Sequence, residues 1–314
     1  MEYRLLGRTG LEVSPLCLGA MMFGAWGNPD HEDSIRVIHA ALDAGINFVD
    51  TADVYSGGES EEIVAKALAG RRDDIVLATK FHFRFGDGPN RGGNSRRWIF
   101  QEVEASLKRL NTDYMDLYQI HFPDPETPQE ETLGALNDLV RAGKVRYIGS
   151  SNFAGYQVAD AAWISKTRGY APYISAQNQY NLLDRRIEKD LTPACAQFGV
   201  GILPYFPLAS GFLTGKYKRG EEPSKDTRLG AMGAMAKSAL TDSNFATLDK
   251  LQEFARSHGH SVLELAMGWL ASMPQVSSVI SGATKPEQVS ANVKAGDWKL
   301  SAEELAEVDK ITKR

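Results

Sequence analysis

The sequence contains little cysteine, and none of it stands in a paired or metal-binding spacing. Cys17 and Cys195 are the only two cysteines among 314 residues, and both lie in apolar surroundings. This usage argues against a disulfide framework and against a thiolate metal site, and it is typical of a reducing compartment. We therefore interpret both thiols as reduced core residues.

Charge excess and long apolar runs are also missing. The net charge is -5, so no basic surplus favours nucleic acid or an anionic membrane. The first ten residues lack the apolar centre of a secretion signal, and no run is long enough to cross a bilayer. We expect a cytoplasmic protein whose partner is a small molecule, with no nucleic-acid or membrane partner and with a monomer as the simplest assembly.

What the sequence does contain is an alternation of short apolar runs with amphipathic helical periods. The eight apolar runs are 16–20, 46–50, 75–80, 115–121, 145–150, 173–177, 200–204 and 276–281. The first seven begin roughly one βα unit apart, as parallel strands with helical crossovers require. An open doubly wound sheet is the competing architecture, but residues 18–24 lack its Gly-rich dinucleotide turn. We predict an α/β fold, a (β/α)8 TIM barrel that forms a single domain over residues 1–314.

Two additions to the barrel are visible in the sequence. Residues 3–14 read as a β-hairpin that precedes the first unit. The segment from Tyr205 to about Asp242 is too long for a plain connector, so we predict a long flap loop after strand 7 that acts as a lid or a binding loop. Met232 and Met235 in this segment are either lid residues or filler.

Capping motifs mark two of the predicted helix starts. One begins at Thr127, which is followed by proline and, three residues on, by Glu130. The other begins at Ser301, with Glu304 three residues on. Both motifs predict a capping box at the start of a helix.

Polar residues stand where several predicted strands end. Asp50 ends the second run and is followed by Tyr55, Lys80 ends the third and His121 ends the fourth. In a closed parallel barrel the active site lies at the C-terminal ends of the strands, so these four side chains are expected to converge. Each alone has an ordinary structural explanation, as a turn cap, an ion-pair partner or a satisfied histidine. Together they favour catalysis.

These motifs resemble those of the aldo-keto reductase family, and the match covers almost the whole chain. The resemblance is carried by segments 50–55, 149–153, 204–208, 215–217 and 282–288 together with Lys80, His121, Gln177 and Asn292. It implies an oxidoreductase that reduces aldehydes or ketones to alcohols. It also implies roles for the four strand-end residues: Tyr55 is the general acid, Lys80 and Asp50 tune it, and His121 orients the substrate.

Elementary chemistry supports those roles. Reduction of a carbonyl needs a proton donor at its oxygen, and a tyrosine with a pKa of about 10 is a reluctant donor near neutral pH. We expect the nearby ammonium of Lys80 to lower the pKa of Tyr55, while Asp50 keeps the lysine charged and in place. Neutral His121 would hydrogen-bond the carbonyl oxygen.

The resemblance implies a nicotinamide coenzyme as the hydride source. The residues it assigns are Ser151, Asn152 and Gln177 at the carboxamide, Tyr205 on the ring, Leu208, Gly211, Lys216 and Arg228 near the phosphates, and Gly282, Thr284, Gln288 and Asn292 toward the adenosine end. Thr284 precedes a predicted helix N-terminus, with Glu287 as its capping partner and Lys285 beside it, which favours an anionic 2'-phosphate. We therefore expect NADPH/NADP+ in preference to NAD.

Three positions depart from the family pattern and bear on coenzyme preference. Phe206 stands where serine is frequent, and Ala291 stands where many members have a glutamate. Gln288 takes the place of a strongly basic residue. The four strand-end residues are unaffected by these departures.

Substrate contacts are expected from the loops at the same end of the barrel. Met22 and Trp26 follow the first strand and either pack internally or form an apolar pocket wall, and His82 reaches the pocket only from a loop. No metal site is expected, because His258 and His260 have no third ligand nearby.

Two alternatives to carbonyl reduction remain open. The chain also resembles the potassium-channel beta subunits, so a regulatory module that holds coenzyme without turnover is one. A sugar or alcohol dehydrogenase that uses the same residues in the oxidative direction is the other.

Overall fold

A computed structural model describes residues 1–224, 227–231 and 239–313 of the chain. Its centre is an eight-stranded parallel sheet. The strands are β3 (Leu16–Gly19), β4 (Phe48–Asp50), β5 (Val76–Phe81), β6 (Met115–Ile120), β7 (Val145–Ser151), β8 (Tyr173–Gln179), β9 (Gly201–Tyr205) and β10 (Val279–Gly282). Their order in the sheet is β10-β3-β4-β5-β6-β7-β8-β9. A parallel bridge between Ile202 and Val276 brings the two outer strands together. The predicted (β/α)8 TIM barrel is confirmed.

Helices follow the strands and cover the outside of the barrel. They are α1 (His31–Asp43), α2 (Glu59–Ala67), α3 (Arg96–Leu110), α4 (Gln129–Arg141), α5 (Gly155–Arg168), α6 (Leu191–Phe198), α7 (Arg228–Ala231), α8 (Asp242–Ser257), α9 (Val262–Ser272), α10 (Pro286–Ala295) and α11 (Ala302–Thr312). Each long helix buries one apolar stripe, as α1 does with Val37, Ile38 and Ala41. No helix in these described ranges is long and apolar enough to cross a membrane.

The two capping predictions have opposite outcomes. At α11, Ser301 accepts from the N–H of Glu304, and the carboxylate of Glu304 accepts from the N–H of Ser301, so that capping box is confirmed. At α4 the prediction is wrong. Thr127 donates its hydroxyl to Asp124 at 2.7 Å, and Pro128, which has no side-chain donor or acceptor, is the N-cap.

The predicted N-terminal hairpin is present and closes the bottom of the barrel. Strands β1 (Arg4–Leu5) and β2 (Glu12–Val13) pair in antiparallel fashion. Leu6 and Val13 are fully buried against a compact group of inward-facing barrel side chains. This group consists of Cys17, Phe48, Val76, Ala78, Leu117, Ile174, Leu203 and Ile280. An apolar plug therefore fills the N-terminal half of the barrel.

At the next inward-facing position toward the C-terminal ends of the strands, polar side chains replace the apolar ones. Successive inward positions on a strand are two residues apart. Asp50 therefore stands above Phe48, Lys80 above Ala78 and Gln119 above Leu117. This layer faces the C-terminal mouth, where the loops gather.

The long flap after β9 (strand 7 of the barrel) is also present. In the segment between Tyr205 and the start of α8 at Asp242, the described residues include a short 3-10 turn at Phe212–Thr214 and the four-residue helix α7. Met232 and Met235 lie outside the described residues.

Candidate active site

Lys80 and Asp50 form an ion pair inside the barrel. The Lys80 side chain is 0% exposed, and its Nζ donates to Asp50 Oδ1 at 2.5 Å. Nζ also donates to the backbone oxygen of Thr51 at 2.7 Å. A buried ammonium with a carboxylate and a carbonyl as acceptors remains charged, because both acceptors compensate for the lost water.

Tyr55 completes the group from the turn that follows β4. Its hydroxyl lies 3.2 Å from Lys80 Nζ, which is hydrogen-bonding distance. The turn is sharp, since Ser56, Gly57 and Gly58 all have positive φ. The sequence prediction that the lysine and the tyrosine meet beside Asp50 therefore agrees with the geometry.

Two glutamines hold Asp50 in place beneath the Lys80–Asp50 pair, and the sequence analysis predicted this role for neither of them. Gln119 and Gln177 donate Nε2 to Asp50 Oδ2 at 3.0 and 2.9 Å. Asp50 thereby has a partner on each carboxylate oxygen and is held rigidly toward Lys80. Sequence reasoning missed Gln119 entirely and assigned Gln177 to another role. The available signal was a glutamine at an inward position of the apolar strand β6.

The electrostatics of the pair differ in one respect from the sequence expectation. Burial disfavours the ammonium of Lys80, but Asp50 and Tyr55 outweigh it and raise the lysine pKa. Burial also raises the pKa of Tyr55, and Lys80 only partly counteracts this. The expected net lowering of the tyrosine pKa is wrong, because the effect of burial exceeds that of Lys80. Tyr55 is therefore a phenol at neutral pH and retains the proton that a general acid must donate.

His121 stands across from Tyr55 at the end of β6. The two rings are edge to face with centroids 5.8 Å apart. Burial, with Lys80 and His82 adding to it, lowers the pKa of His121 far below its ordinary value. Nδ1 is buried without a hydrogen-bond partner in the described part of the chain. The imidazole is thus neutral and can donate from one nitrogen, as the sequence analysis expected.

An aromatic wall surrounds this group. Trp26 lies 6.0 Å from the Tyr55 ring and is 52% exposed. Phe83 and Phe122 flank His121 at centroid distances of 4.9 and 5.7 Å. The sequence pointed to the loops that carry these two phenylalanines but did not single them out, because nothing in a loop sequence fixes which ring turns inward.

The other two predicted pocket residues, Met22 and His82, contact loop residues. Met22 packs within the loop after β3, with its backbone oxygen accepting from Asn28 at 2.9 Å. His82 bonds Asn94 Oδ1 through Nδ1 at 2.9 Å, and its ring contacts Phe83 and Phe122 rather than Tyr55. Of the three predictions, Trp26 is the one that the structure brings to the acid.

Four predicted coenzyme residues gather at the ends of β7, β8 and β9. Asn152 donates Nδ2 to Ser151 Oγ at 3.1 Å and to the backbone oxygen of His121 at 2.9 Å. Its Oδ1 accepts from the Tyr205 hydroxyl at 2.7 Å. Gln177 uses Nε2 on Asp50, so its carbonyl oxygen is the group it can offer to a ligand's N–H. These contacts place the four side chains directly beside the tetrad of Asp50, Tyr55, Lys80 and His121.

The flap brings a second group of predicted residues together. Leu208 and Gly211 lie in a tight turn in which Phe206, Ala209 and Ser210 all have positive φ. A Cβ at Gly211 would lie 3.3 Å from Lys216 Nζ, so the lysine passes close to this backbone. Arg228 places its guanidinium 4.6 Å over the Phe206 ring. Burial lowers the pKa of Arg228, with Tyr55 among the groups that oppose the shift.

The third group lies at the junction of β10 and α10. Asn292 donates to Ser281 Oγ at 3.4 Å, next to Gly282. The predicted capping box between Thr284 and Glu287 is wrong. Lys285 is the N-cap, and the N–H of Thr284 donates to Gln288 Oε1 at 2.7 Å, because the helix begins one residue later than expected.

The sequence profile described as "Aldo/keto reductase family" matches residues 15–313, nearly the whole chain. The chain belongs to the aldo/keto reductase family. The match includes the whole barrel and every predicted site residue, and it leaves out residues 1–14, which contain the N-terminal hairpin, and residue 314.

Several relatives of this aldo/keto reductase are similar over almost their full length. A probable voltage-gated potassium channel subunit beta of Oryza sativa subsp. japonica is 40% identical over 95% of this chain and 92% of its own. The aldo-keto reductase YhdN of Bacillus subtilis is 37% identical over 99% and 93%. The versiconal hemiacetal acetate reductase of Aspergillus parasiticus is 36% identical over 97% and 95%. The family and its oxidoreductase members support an oxidoreductase activity.

The aldo/keto reductase family generally uses nicotinamide coenzymes, and the residues present fit such a group. Arg228 is partly buried and has no carboxylate partner within residues 1–224, 227–231 and 239–313. A partly buried cation without a counter-charge suits a phosphate. The Gln177 carbonyl oxygen and the Tyr205 ring stand on the tetrad side, where an amide-bearing ring would lie.

Proposed function

We propose that this protein reduces aldehydes or ketones to alcohols with NADPH, and that Tyr55 is the general acid. The observation that carries the proposal is the buried Lys80–Asp50 pair with the Tyr55 hydroxyl 3.2 Å from the ammonium. An ion pair with a purely structural role would not need a tyrosine hydroxyl next to the lysine. A proton donor held against a fixed cation is what developing negative charge on a carbonyl oxygen requires.

Each residue of the site has its own role in this reaction. A bound reduced nicotinamide would supply the hydride to the carbonyl carbon. Tyr55 donates its proton to the carbonyl oxygen, and Lys80 stabilises the phenolate that remains. Neutral His121 orients the carbonyl oxygen by hydrogen bonding, while Asp50 holds the lysine. The rings of Trp26, Phe83 and Phe122 line this reaction zone.

The preference for NADPH over NADH rests on positive charge. Lys216 and Arg228 stand in the flap, and Lys285 lies at the start of α10 beside Thr284 and Gln288. Cations and a helix N-terminus both stabilise a bound 2'-phosphate.

A cytoplasmic location fits the two buried free cysteines. The small carbonyl substrate is the one partner that the proposal requires.

A regulatory module is the second candidate, since potassium-channel beta subunits are among the relatives at 40% identity. Such a module would hold coenzyme without sustained turnover. Operation mainly as an alcohol or sugar dehydrogenase would use the same residues in reverse, with Tyr55 as the base.

One titration separates these possibilities. NADPH and NADH are titrated into the protein by coenzyme fluorescence, and an aromatic aldehyde is then added to the same cuvette. We expect tighter binding of NADPH and its steady consumption on addition of aldehyde. Tight binding without consumption of NADPH by any of a panel of carbonyls would favour the regulatory module. No binding of either coenzyme would contradict the proposal.

Removal of the flap cations should weaken coenzyme binding without changing the chemistry. We expect Arg228→Ala and Lys216→Ala to raise the Kd for NADPH about tenfold each, because each deletes a charge-assisted contact worth roughly 1.5 kcal/mol. The turnover rate at saturating NADPH should stay near that of the wild type. The measurement is the same fluorescence titration followed by steady-state kinetics.

Arg219→Ala is the matched control, because this flap arginine pairs with Asp249 at 3.0 Å on the surface. Its Kd should equal that of the wild type. An unchanged Kd in both test variants would remove Arg228 and Lys216 from the coenzyme site.

A further inference from the structure

Trp26 stands at the tip of a small closed loop between β3 and α1. Gly24 donates its N–H to the oxygen of Asn28, and Asn28 donates to the oxygen of Met22, both at 2.9 Å. The Trp26 ring is half exposed, yet it lies 6.0 Å from the ring of Tyr55. The backbone of the loop that carries this exposed side chain is held by two residues from the segment after Tyr55.

Ser56 supplies one anchor. Its Oγ accepts from the N–H of Trp26 at 3.0 Å and donates to the backbone oxygen of Phe23 at 3.1 Å. Its φ is 52°, in the left-handed region that side chains avoid. Glycine would adopt this backbone without strain, so the hydroxyl contacts are what a serine adds at this position.

Glu59 supplies the other anchor. Its Oε2 accepts from the N–H of Ala25 at 2.8 Å, and Oε1 lies 2.9 Å from His31 Nε2. A Cβ at Gly24 would come within 2.5 Å of Oε2, so a glycine there lets the carboxylate approach the loop. The hydrogen bond from His31, followed by that from Ala25, lowers the pKa of Glu59, so it is charged at neutral pH.

Both anchors belong to the chain segment that directly follows Tyr55. We propose that Ser56 and Glu59 are positioning residues that hold Trp26 over Tyr55 and thereby set the selectivity of the site for carbonyls that carry an aromatic ring. This inference rests on the proposed carbonyl reduction. An aromatic substrate packs between Trp26 on one side and Phe83 and Phe122 on the other. A short aliphatic aldehyde reaches Tyr55 without needing Trp26.

The kinetic test compares benzaldehyde with propanal. Ser56→Gly removes the hydroxyl but keeps the backbone conformation, and Glu59→Ala removes the carboxylate. We expect each to raise the KM for benzaldehyde about fivefold, the effect of losing one or two hydrogen bonds, with kcat close to that of the wild type. The kinetics with propanal should change by less than about twofold.

Two further variants show whether the contact itself matters. Glu59→Gln retains an oxygen that can accept from Ala25, so it should restore most of the benzaldehyde KM. Glu62→Ala changes an exposed glutamate three residues along the same helix, and its kinetics should match the wild type.

A second readout needs neither coenzyme nor substrate. The N–H groups of Ala25 and Trp26 are the donors in these contacts, so hydrogen–deuterium exchange of a peptide covering 21–30 reports them directly. Exchange should be faster in Glu59→Ala and in Ser56→Gly than in the wild type and in Glu62→Ala.

The outcomes are distinct. Equal loss of benzaldehyde and propanal turnover, or unchanged benzaldehyde KM in both Ser56→Gly and Glu59→Ala, would overturn the selectivity role. If the wild-type protein reduces no carbonyl, the proposed function fails, and with it the selectivity. Unchanged amide exchange in both variants would overturn the anchoring independently of any turnover.

Discussion

Tyr55→Phe is expected to lower carbonyl turnover by about 100-fold to 10,000-fold while NADPH binding stays nearly intact. The substitution deletes one hydroxyl, which is the proton donor 3.2 Å from Lys80 Nζ, and leaves the ring in place. Steady-state rates with NADPH and an aldehyde, together with coenzyme fluorescence, measure both effects. Turnover like that of the wild type in this variant would eliminate Tyr55 as the acid.

Tyr156→Phe is the matched control for this change. Tyr156 is 73% exposed on α5, so the loss of its hydroxyl should alter neither rate nor binding. The pH profile of the wild type adds an independent check at saturating coenzyme. Because burial raises the pKa of Tyr55 and lowers that of His121, the reductive rate should stay level from about pH 6 to about pH 9. A step near the ordinary histidine pKa would contradict the assignment of a neutral His121.

Lys80→Met is expected to have the second large effect, on both stability and rate. The variant leaves Asp50 buried without its counter-charge, which costs about 3–5 kcal/mol in the free energy of unfolding. It also removes the cation that stabilises the phenolate, so turnover should fall at least about 100-fold. Urea unfolding and steady-state kinetics measure the two losses.

Two variants make this prediction specific. Asp50→Asn combined with Lys80→Met removes both charges, so it should recover part of the lost stability but none of the lost turnover. Lys108→Met, at an exposed position on α3, should change neither quantity. Stability of the double variant no better than that of Lys80→Met would show that the buried unpaired charge is not the cause.

The pH dependence of this stability term has a definite sign. The folded-state pKa of Lys80 is raised above its value in the unfolded chain. Its contribution is therefore fully present below the ordinary lysine pKa of about 10.4 and is lost only as pH rises through the folded-state pKa. In the wild type this contribution of Lys80 should therefore stay constant from about pH 6 to about pH 9, and urea unfolding across that range measures it.

Much of the fold was predictable because its signals are local. Each barrel strand is a short apolar run of a length that a buried strand requires, and each run lies within a few residues of the strand observed. The tetrad was predictable for a related reason. Asp50, Lys80 and His121 stand at the ends of such runs, and parallel strands in a closed barrel bring their C-terminal ends together. The helix boundaries were predicted less accurately, because α4 and α10 each begin one residue later than the sequence indicated.

The support of the tetrad was not predictable in the same way. Gln119 contacts Asp50 across 69 positions of sequence, and Gln177 contacts it across 127. Neither pairing has a spacing rule, because it depends on strand tilt and register around the barrel. The direction of the Tyr55 pKa shift could not be predicted from the sequence either. It depends on whether burial, which raises the pKa, outweighs the effect of Lys80, which lowers it.

The sequence by itself determined that this chain forms a parallel barrel and that a carboxylate, a lysine, a tyrosine and a histidine meet at one end of it. Periodicity and strand-end position carry that information, because both act within a few residues. Only the tertiary structure decided which rings enclose the acid and which groups hold Asp50. It also decided how Ser56 and Glu59 reach the loop of Trp26. Those contacts join residues far apart in the chain, so their geometry exists only after the barrel has closed.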